Sequence, residues 1–426
     1  MDKTPLVVAI EMGYGHLRAA APLAERLGTE VLECDRAPLA DRKEQREWAE
    51  TRRLYEGLSR FSHLPIVGPA LLQTIETITA IPPLHPHRDL SSPTLGTRVL
   101  DGFIERGLGR GLAERMKAEG RPLLATFFAP AIAAAHHGAR NVYCVVTDAD
   151  INRAWAPKLS SATRIHYLVP SARAQRRLLS YGVPASQITY TGFPLPHALL
   201  GGPDLGTARE NVRRRIARLD VSGAFRENLA SLGGVLGPIA AADGPPRLAF
   251  AVGGAGAQGE LLAQALPGLG ALVRSERLRL TLVAGVRRAV ADSFQKSIGK
   301  AGLERELASG AIEILFEDSM AAYLARFHAR LADVDILWSK PSEMTFFAAL
   351  GLPFVCCPPI GVHEDYNRRW AMEAGAALEQ GEPALAGEWL ADWLTDGTLA
   401  GAAYSGFMRL PQRGLYRILE RVSGAA

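Results

Sequence analysis

One stretch restricts the fold of this chain more than any other: residues 334–377, VDILWSKPSEMTFFAALGLPFVCCPPIGVHEDYNRRWAMEAGAA. The apolar run at 334–338 predicts a buried parallel strand. Ser339, Lys340 and Pro341 interrupt it. Ser342 is placed to cap a helix whose apolar face is Met344, Phe347, Ala348 and Leu350. Gly351 ends that helix, and 352–357 predicts a second strand. Strand, loop, helix and strand make a βαβ unit, so the first loop lies at the carboxyl edge of a parallel sheet, where open α/β sheets bind ligands. Amides at a helix start near Ser342 suit a phosphate. The following loop brings His363, Glu364, Asp365 and Asn367 to the same edge, where they suit sugar hydroxyls.

The order Ser339-Lys340-Pro341, Gly351-Leu352-Pro353, His363-Glu364, Asn367, Gly375-Ala376 resembles the donor half of GT-B glycosyltransferases. The closest branch holds the peptidoglycan N-acetylglucosaminyltransferase and the galactosyl- and glucosyl-diacylglycerol synthases. There are departures from that pattern. The loop is about two residues shorter, and Ser342-Glu343 stand where the branch has Gly-Gly. Phe346 occupies the position of the ribose-binding Glu. Either Glu343, about one turn earlier, replaces that Glu, or it is a first-turn carboxylate favoured by the helix dipole.

Near the amino end, 6–10 predicts a buried strand, then Glu11-Met12-Gly13-Tyr14-Gly15-His16, then a helix over 17–27. Gly13 and Gly15 permit a sharp turn and a close approach to a ligand, a signal many Rossmann-like units share. The Gly-x-Gly-His run resembles the first loop of the same glycosyltransferases. That resemblance makes His16 the base that takes a proton from an acceptor hydroxyl, or the group that orients it. The alternative is a helix-capping His without proton transfer. Glu11 is a candidate to orient its ring. Val145-Val146-Thr147-Asp148, with Trp155 seven residues on, resembles a Val-Thr-Asp signature of the diacylglycerol glycosyltransferases, with Asn152 in place of their His. Asp148 is then an acceptor contact, a base or a turn cap. Trp155 is an acceptor-side or a core aromatic.

The second half opens on a strand at 248–252 and the loop Gly253-Gly254-Ala255-Gly256-Ala257-Gln258. Glycines there let amides close on phosphate, and the resemblance assigns Gly253, Gly254, Gly256 and Gln258 to the donor diphosphate. Tight packing is the alternative. A strand at 278–284 is followed by Arg287 and Arg288, which read as a solvated turn or a phosphate contact. A strand at 312–316 leads into a loop that, by the resemblance, sets Phe316 and Met320 beside the base; both also read as core.

Composition fits a globular chain of two domains: 426 residues, 48% apolar and 22% charged. The net charge of +4 comes from residues 1–195, with 24 Lys and Arg against 19 Asp and Glu. That permits contact with an anionic lipid surface and does not argue for nucleic acid. Cys34, Cys144, Cys356 and Cys357 fall in or beside apolar strands without metal-ligand spacing, as small buried residues of a reducing cytosol. The sequence opens without a signal-peptide pattern, and no apolar run reaches the ~18 residues of a membrane span. Residues 58–100 read as an acceptor groove or membrane-contact surface, or as helices packed on the sheet. His85 and His87 lack the Cys or carboxylate company of a metal site.

The expected architecture is α/β: two facing Rossmann-like domains of GT-B type with a cleft between them. An acceptor domain spans 1–196, a connecting segment 197–246, a donor domain 247–400, and a tail 401–426 whose helix returns to the first domain. The resemblance implies an inverting, metal-independent glycosyltransferase, cytoplasmic or at the inner face of the membrane. It implies no cofactor beyond a nucleoside-diphosphate sugar as co-substrate, of the UDP class. The acceptor stays open, with a lipid one candidate. Two rivals share the pattern: a nucleotide-sugar 2-epimerase, and a protein that binds a nucleotide sugar without catalysis.

Overall fold

The structure is a computed structural model that describes residues 4–11, 13–61, 80–229, 236–251 and 257–424. The chain forms two compact units. The first comprises Met1–Leu195, Ile360–Asn367 and Arg413–Ala426; the second comprises Pro196–Pro359 and Arg368–Gln412.

In the first unit the strands are β1 (Leu6–Ala9), β2 (Val31–Glu33), β3 (Leu123–Ala125), β4 (Val142–Val145), β5 (His166–Val169) and β6 (Ile188–Tyr190). They form one parallel sheet in the order β2-β1-β3-β4-β5-β6. Strands β1, β3, β4 and β5 are buried along their whole length. Helices cover both faces of such a sheet, which is why these segments read as unbroken apolar runs. Ile104, Leu112, Leu123, Ala131, Cys144 and Tyr167 belong to its core. The strand order reverses at β1, which has β2 on one side and β3 on the other. In open α/β sheets such a reversal is where a ligand crevice forms, here past the carboxyl ends of β1 and β3.

The second unit repeats the plan. Its strands are β7 (Arg247–Ala251), β8 (Arg279–Gly285), β9 (Ile312–Phe316), β10 (Ile336–Ser339), β11 (Phe354–Cys356) and β12 (Ala377–Glu379). They pair in parallel in the order β12-β11-β10-β7-β8-β9. Here the reversal falls between β7 and β10. Ala251 and Ser339 are partners across that pair, and the Ser339 hydroxyl donates to the Ala251 carbonyl at 2.8 Å.

Three differences from the sequence expectations have physical causes. Residues Glu343–Leu350 form a 3₁₀ helix, all of it buried, and Ser342 makes no side-chain cap. The segment has no polar face, and its Phe346, Phe347 and Thr345 are poor helix formers. The Thr345 hydroxyl also bonds the Ser342 carbonyl at 2.8 Å, drawing that carbonyl away from an α-helical ladder. The tail holds two helices, Thr398–Arg409 and Gly414–Ser423, with Pro411 between them, and only the second matches the helix expected over 410–422. The first was missed because five of its twelve residues are Ala or Gly, which blurs an apolar stripe. Small residues are needed there, since a Cβ on Gly406 would lie 2.4 Å from the Ala348 carbonyl oxygen.

The segment 197–246 contributes the helix Gly206–Leu219. Its Arg215, 2% exposed, donates to the Val334 carbonyl at 3.0 and 2.9 Å and to the Leu350 carbonyl at 2.8 Å. One guanidinium thus joins the residues leading into β10 to the end of the 3₁₀ helix. Burial lowers its pKa to about 10.

Candidate functional site

The crevice of the first unit gathers residues from three strand ends. His16 is the second residue of the helix Gly15–Leu27 that follows β1. Gly13, in the turn before it, has φ +90, a conformation that favours glycine. The His16 Nδ1 lies 2.8 Å from the Thr126 carbonyl, just past β3, and 3.3 Å from the Thr147 hydroxyl, past β4. The Thr126 hydroxyl donates to the His16 carbonyl at 2.9 Å. A carbonyl can only accept, so Nδ1 carries the proton in the neutral ring, and Nε2 is the nitrogen able to accept one. The ring packs on Phe127 at 4.6 Å between centroids.

Glu11 does not orient this imidazole. It pairs with Arg36 at the surface, while Thr126 and Thr147 hold the ring. Trp155, read as an acceptor-side or a core aromatic, is 3% exposed and packs on Phe127 and Phe128 at 6.1 and 5.1 Å. It backs the His16 platform from within the core. Asn152 caps the short turn Arg153–Trp155 by accepting from the Ala154 amide at 3.1 Å.

Asp148 is half-buried at the end of the β4 loop. Its Oδ1 accepts from Asn367 Nδ2 at 3.0 Å, and Asn367 Oδ1 accepts from the Ala149 amide at 2.7 Å. The segment carrying Asn367 was expected as a loop, but it is the helix Val362–Glu373. Glu364 and Asn367, three residues apart, lie on its buried face, 2% and 0% exposed. Glu364 reaches back to the Ile360 amide at 2.7 Å, in the manner of the acidic half of a capping box. His363 folds over Gly361, where a Cβ would meet its ring at 2.8 Å. Asp365 is half-buried in the first turn. Expected as sugar contacts, Glu364 and Asn367 direct these bonds to protein.

One pair escaped the sequence reading. Arg177 and Asp150, neither exposed at all, form a two-armed ion pair with both distances 2.8 Å. Burial opposes the guanidinium charge, but Asp150 outweighs it and the Arg177 pKa is raised. Asp150 also accepts from the Ile151 amide at 2.9 Å, so the pair braces the loop that carries Asp148. The residues are 27 positions apart and belong to no shared motif.

In the second unit Lys340, Pro341 and Ser342 follow β10 at the reversal of strand order. The Ser342 amide donates to the Lys340 carbonyl at 2.8 Å, a three-residue turn, and the Thr345 amide donates to the Ser342 carbonyl at 3.0 Å. The start of this helix thus presents fewer bare amides than the expected α-helix, because the turn takes one and the 3₁₀ ladder closes a residue sooner. Glu343 is 8% exposed, at the first position of the 3₁₀ helix. Phe316 closes β9, and the Arg288 guanidinium lies 4.0 Å from its ring centroid. Arg288 also pairs with Asp318 at 3.2 Å. Met320 opens the next helix, capped by Ser319. Gly253, Gly254 and Gly256 lie outside the described residues, as does the Gln258 side chain; residues 62–79 of the expected acceptor segment do too.

All four cysteines are buried, and burial pushes the Cys356 thiol up to about 12. Among the described residues no group of three or more His, Cys, Asp or Glu could hold a metal ion. No described helix is long and apolar enough to cross a membrane.

No family model and no curated protein matches the sequence. Solved structures do match along the whole chain. MnaA from S. aureus, solved with UDP, gives a TM-score of 0.51 at 13% identity, covering 98% of this chain and 95% of that one. A protein of Listeria monocytogenes assigned as a UDP-N-acetylglucosamine 2-epimerase gives 0.52 at 15%, covering 99% and 96%. MurG of Acinetobacter baumannii gives 0.51 at 15%, covering 98% of each. Two parallel six-stranded sheets, each reversing order at its first strand, together with these likenesses, give this chain the GT-B fold.

Proposed function

We infer that the chain is a glycosyltransferase of the inverting, metal-independent kind. It takes a sugar from a nucleoside-diphosphate sugar, of the UDP class, and moves it to an acceptor hydroxyl. The reading rests above all on His16, whose Nδ1 is 2.8 Å from the Thr126 carbonyl at the topological switch of the first sheet. That partner orients Nε2 as the proton acceptor. In the proposed step the acceptor hydroxyl gives its proton to Nε2 and its oxygen bonds to the anomeric carbon. The bond from that carbon to the diphosphate breaks, and the diphosphate leaves with the electron pair. Asp148, held by Asn367, orients the acceptor.

The donor half of the reading is assigned to the second unit. There the loops after β7 and β10 leave from neighbouring strand ends, and backbone amides offset the charge growing on the leaving diphosphate. The likeness to a solved structure containing UDP supports the choice of nucleotide. Lys340, Ser342 and Glu343 are the described residues assigned to this work.

A second reading is favoured by one observation, the likeness to the Listeria protein assigned as a 2-epimerase over 99% of this chain. An epimerase changes the sugar with no acceptor. Incubation with radiolabelled UDP-N-acetylglucosamine, with and without diacylglycerol and sugar acceptors, separates the readings. Label joined to an acceptor with release of UDP supports transfer. Label recovered in N-acetylmannosamine sinks transfer and supports epimerisation. Binding with no turnover of any UDP-sugar tested sinks both.

A further inference from the structure

A cavity of about 240 Å³ lies in the first unit, lined by residues of the stretch 84–90 and by the helix Ala172–Ser180. The two walls are tied together, since the Leu90 amide donates to the Ser180 carbonyl at 2.8 Å. That helix starts beyond the carboxyl end of β5 and runs back along the sheet. Its last turn therefore lies about 12 Å from the edge that carries His16.

The lining combines two chemistries. Leu84, Leu90 and Leu179 supply an apolar surface, and Leu179 is 43% exposed, which is high for an apolar side chain on an amphipathic helix. Arg88 and Arg176 add exposed cations, and no carboxylate lines the cavity. Arg176 makes no hydrogen bond or ion pair among the described residues, whereas its neighbour Arg177 is committed to Asp150. Even so, the Arg177 Nη1 is buried with no hydrogen-bond partner, a costly state for a charged donor. Asp89, next to Arg88 in sequence, is an exposed carboxylate that accepts from the Ser91 amide at 2.8 Å and is not among the lining residues. Between Asp150 and Asp204 the chain has six Lys and Arg and no Asp or Glu, so the helical wall of the cavity carries an excess of positive charge.

We propose that this cavity binds a phosphate monoester carried on an apolar group, at a site separate from the His16 crevice. Arg88 and Arg176 hold the phosphate, and the three leucines cover the apolar part. This inference does not depend on the sugar-transfer reading, because none of these residues is assigned to the proton transfer or to the diphosphate.

Isothermal titration of the full chain with phenyl phosphate tests the site, with inorganic phosphate as the comparison. Wild-type protein is expected to bind phenyl phosphate several-fold more tightly than inorganic phosphate, and more weakly as salt rises. The double variant R88A/R176A removes two exposed side chains, of which Arg88 also donates to the Pro83 carbonyl at 3.2 Å; circular dichroism and melting temperature check that it keeps the wild-type fold, and R176A alone, which breaks no such bond, serves as the second variant. The affinity of the double variant for phenyl phosphate is expected to fall at least tenfold, while Leu179→Ser erases the preference for phenyl phosphate. Absence of binding to wild-type protein at millimolar ligand overturns the proposal, as does equal binding by the double variant. Flotation with phosphatidylcholine vesicles containing phosphatidate then identifies the source. Capture that the double variant loses assigns the phosphate to a lipid headgroup, and no capture assigns it to a soluble ester.

Discussion

Asn367 holds Asp148: its Nδ2 donates to the Asp148 carboxylate at 3.0 Å while its Oδ1 takes the Ala149 amide at 2.7 Å. Both ends of one fully buried amide are spent on one loop, 219 positions away in sequence. Such a bridge acts on loop geometry before it acts on any substrate.

Asn367→Ala is therefore expected to lower stability by about 1–3 kcal/mol, the cost of stranding the buried Ala149 amide and removing a donor from Asp148. Asn367→Asp should cost at least as much, because it sets a second carboxylate against Asp148. Urea titration followed by tryptophan fluorescence measures both. Wild-type stability in the Asp variant would contradict the role given to the bridge.

His16→Ala should reduce kcat on the order of 10²–10⁴-fold, the usual worth of a positioned general base. UDP affinity should stay within about twofold. Initial rates of UDP release and equilibrium UDP titration read the two quantities. Unchanged turnover removes His16 from the reaction.

Loss of the Arg215 guanidinium leaves the Val334 and Leu350 carbonyls without a donor in the core. Arg215→Met, which retains most of the side-chain volume, is expected to destabilise the protein by about 3 kcal/mol. The measurement is the shift in denaturation midpoint. A shift of a few tenths of a kcal/mol would mean that water or neighbouring amides replace the lost bonds.

At Gly351 a Cβ would lie 2.4 Å from the Val212 Cγ2, and its φ is +73. Gly351→Ala should cost about 2–4 kcal/mol, combining overpacking with left-handed strain. Adding Val212→Ala should recover part of that loss and not all, since the strain remains. A thermal-denaturation cycle over the four proteins tests the split.

The His166 ring lies in burial beside Arg421, and these two causes in that order depress its pKa from 6.5 to about 4. Arg421 belongs to the helix Gly414–Ser423 and donates toward the ring at 3.3 Å. As pH falls from about 6.5 to 4 the unfolded chain takes up the proton first, so stability contributed by neutral His166 is lost across that window. About 1–2 kcal/mol is expected after allowance for solvent screening. His166→Gln should flatten the stability curve between pH 7 and 4.5. A wild-type curve that is already flat there would refute the assignment.

The strands were legible because both faces of each sheet are covered, which leaves unbroken apolar runs such as those of β1, β4 and β10. The pairing of His16 with the β3 and β4 loops was legible only in outline. Residues 11–16 announce a tight turn, but the carbonyl that fixes the ring belongs to Thr126, whose side chain carries no motif. Backbone partners of this kind leave no trace in composition. The 3₁₀ helix after Ser342 and the helix Thr398–Arg409 were misread or missed for a related reason. Neither carries an amphipathic stripe: the 3₁₀ segment is buried all round, and in the other helix small residues serve the close approach of Gly406 to Ala348. Asn367 and the Asp150–Arg177 pair depend on contacts between segments far apart along the chain, beyond the range of periodicity.

The first unit is assembled from three separate stretches of chain, and the last two lie beyond residue 359. During synthesis Asp148 can meet the Asn367 amide only after residue 367 is made, and His166 can meet Arg421 only after residue 421. Until residues 360–367 and 413–424 are made, the sheet of residues 6–190 lacks those pieces.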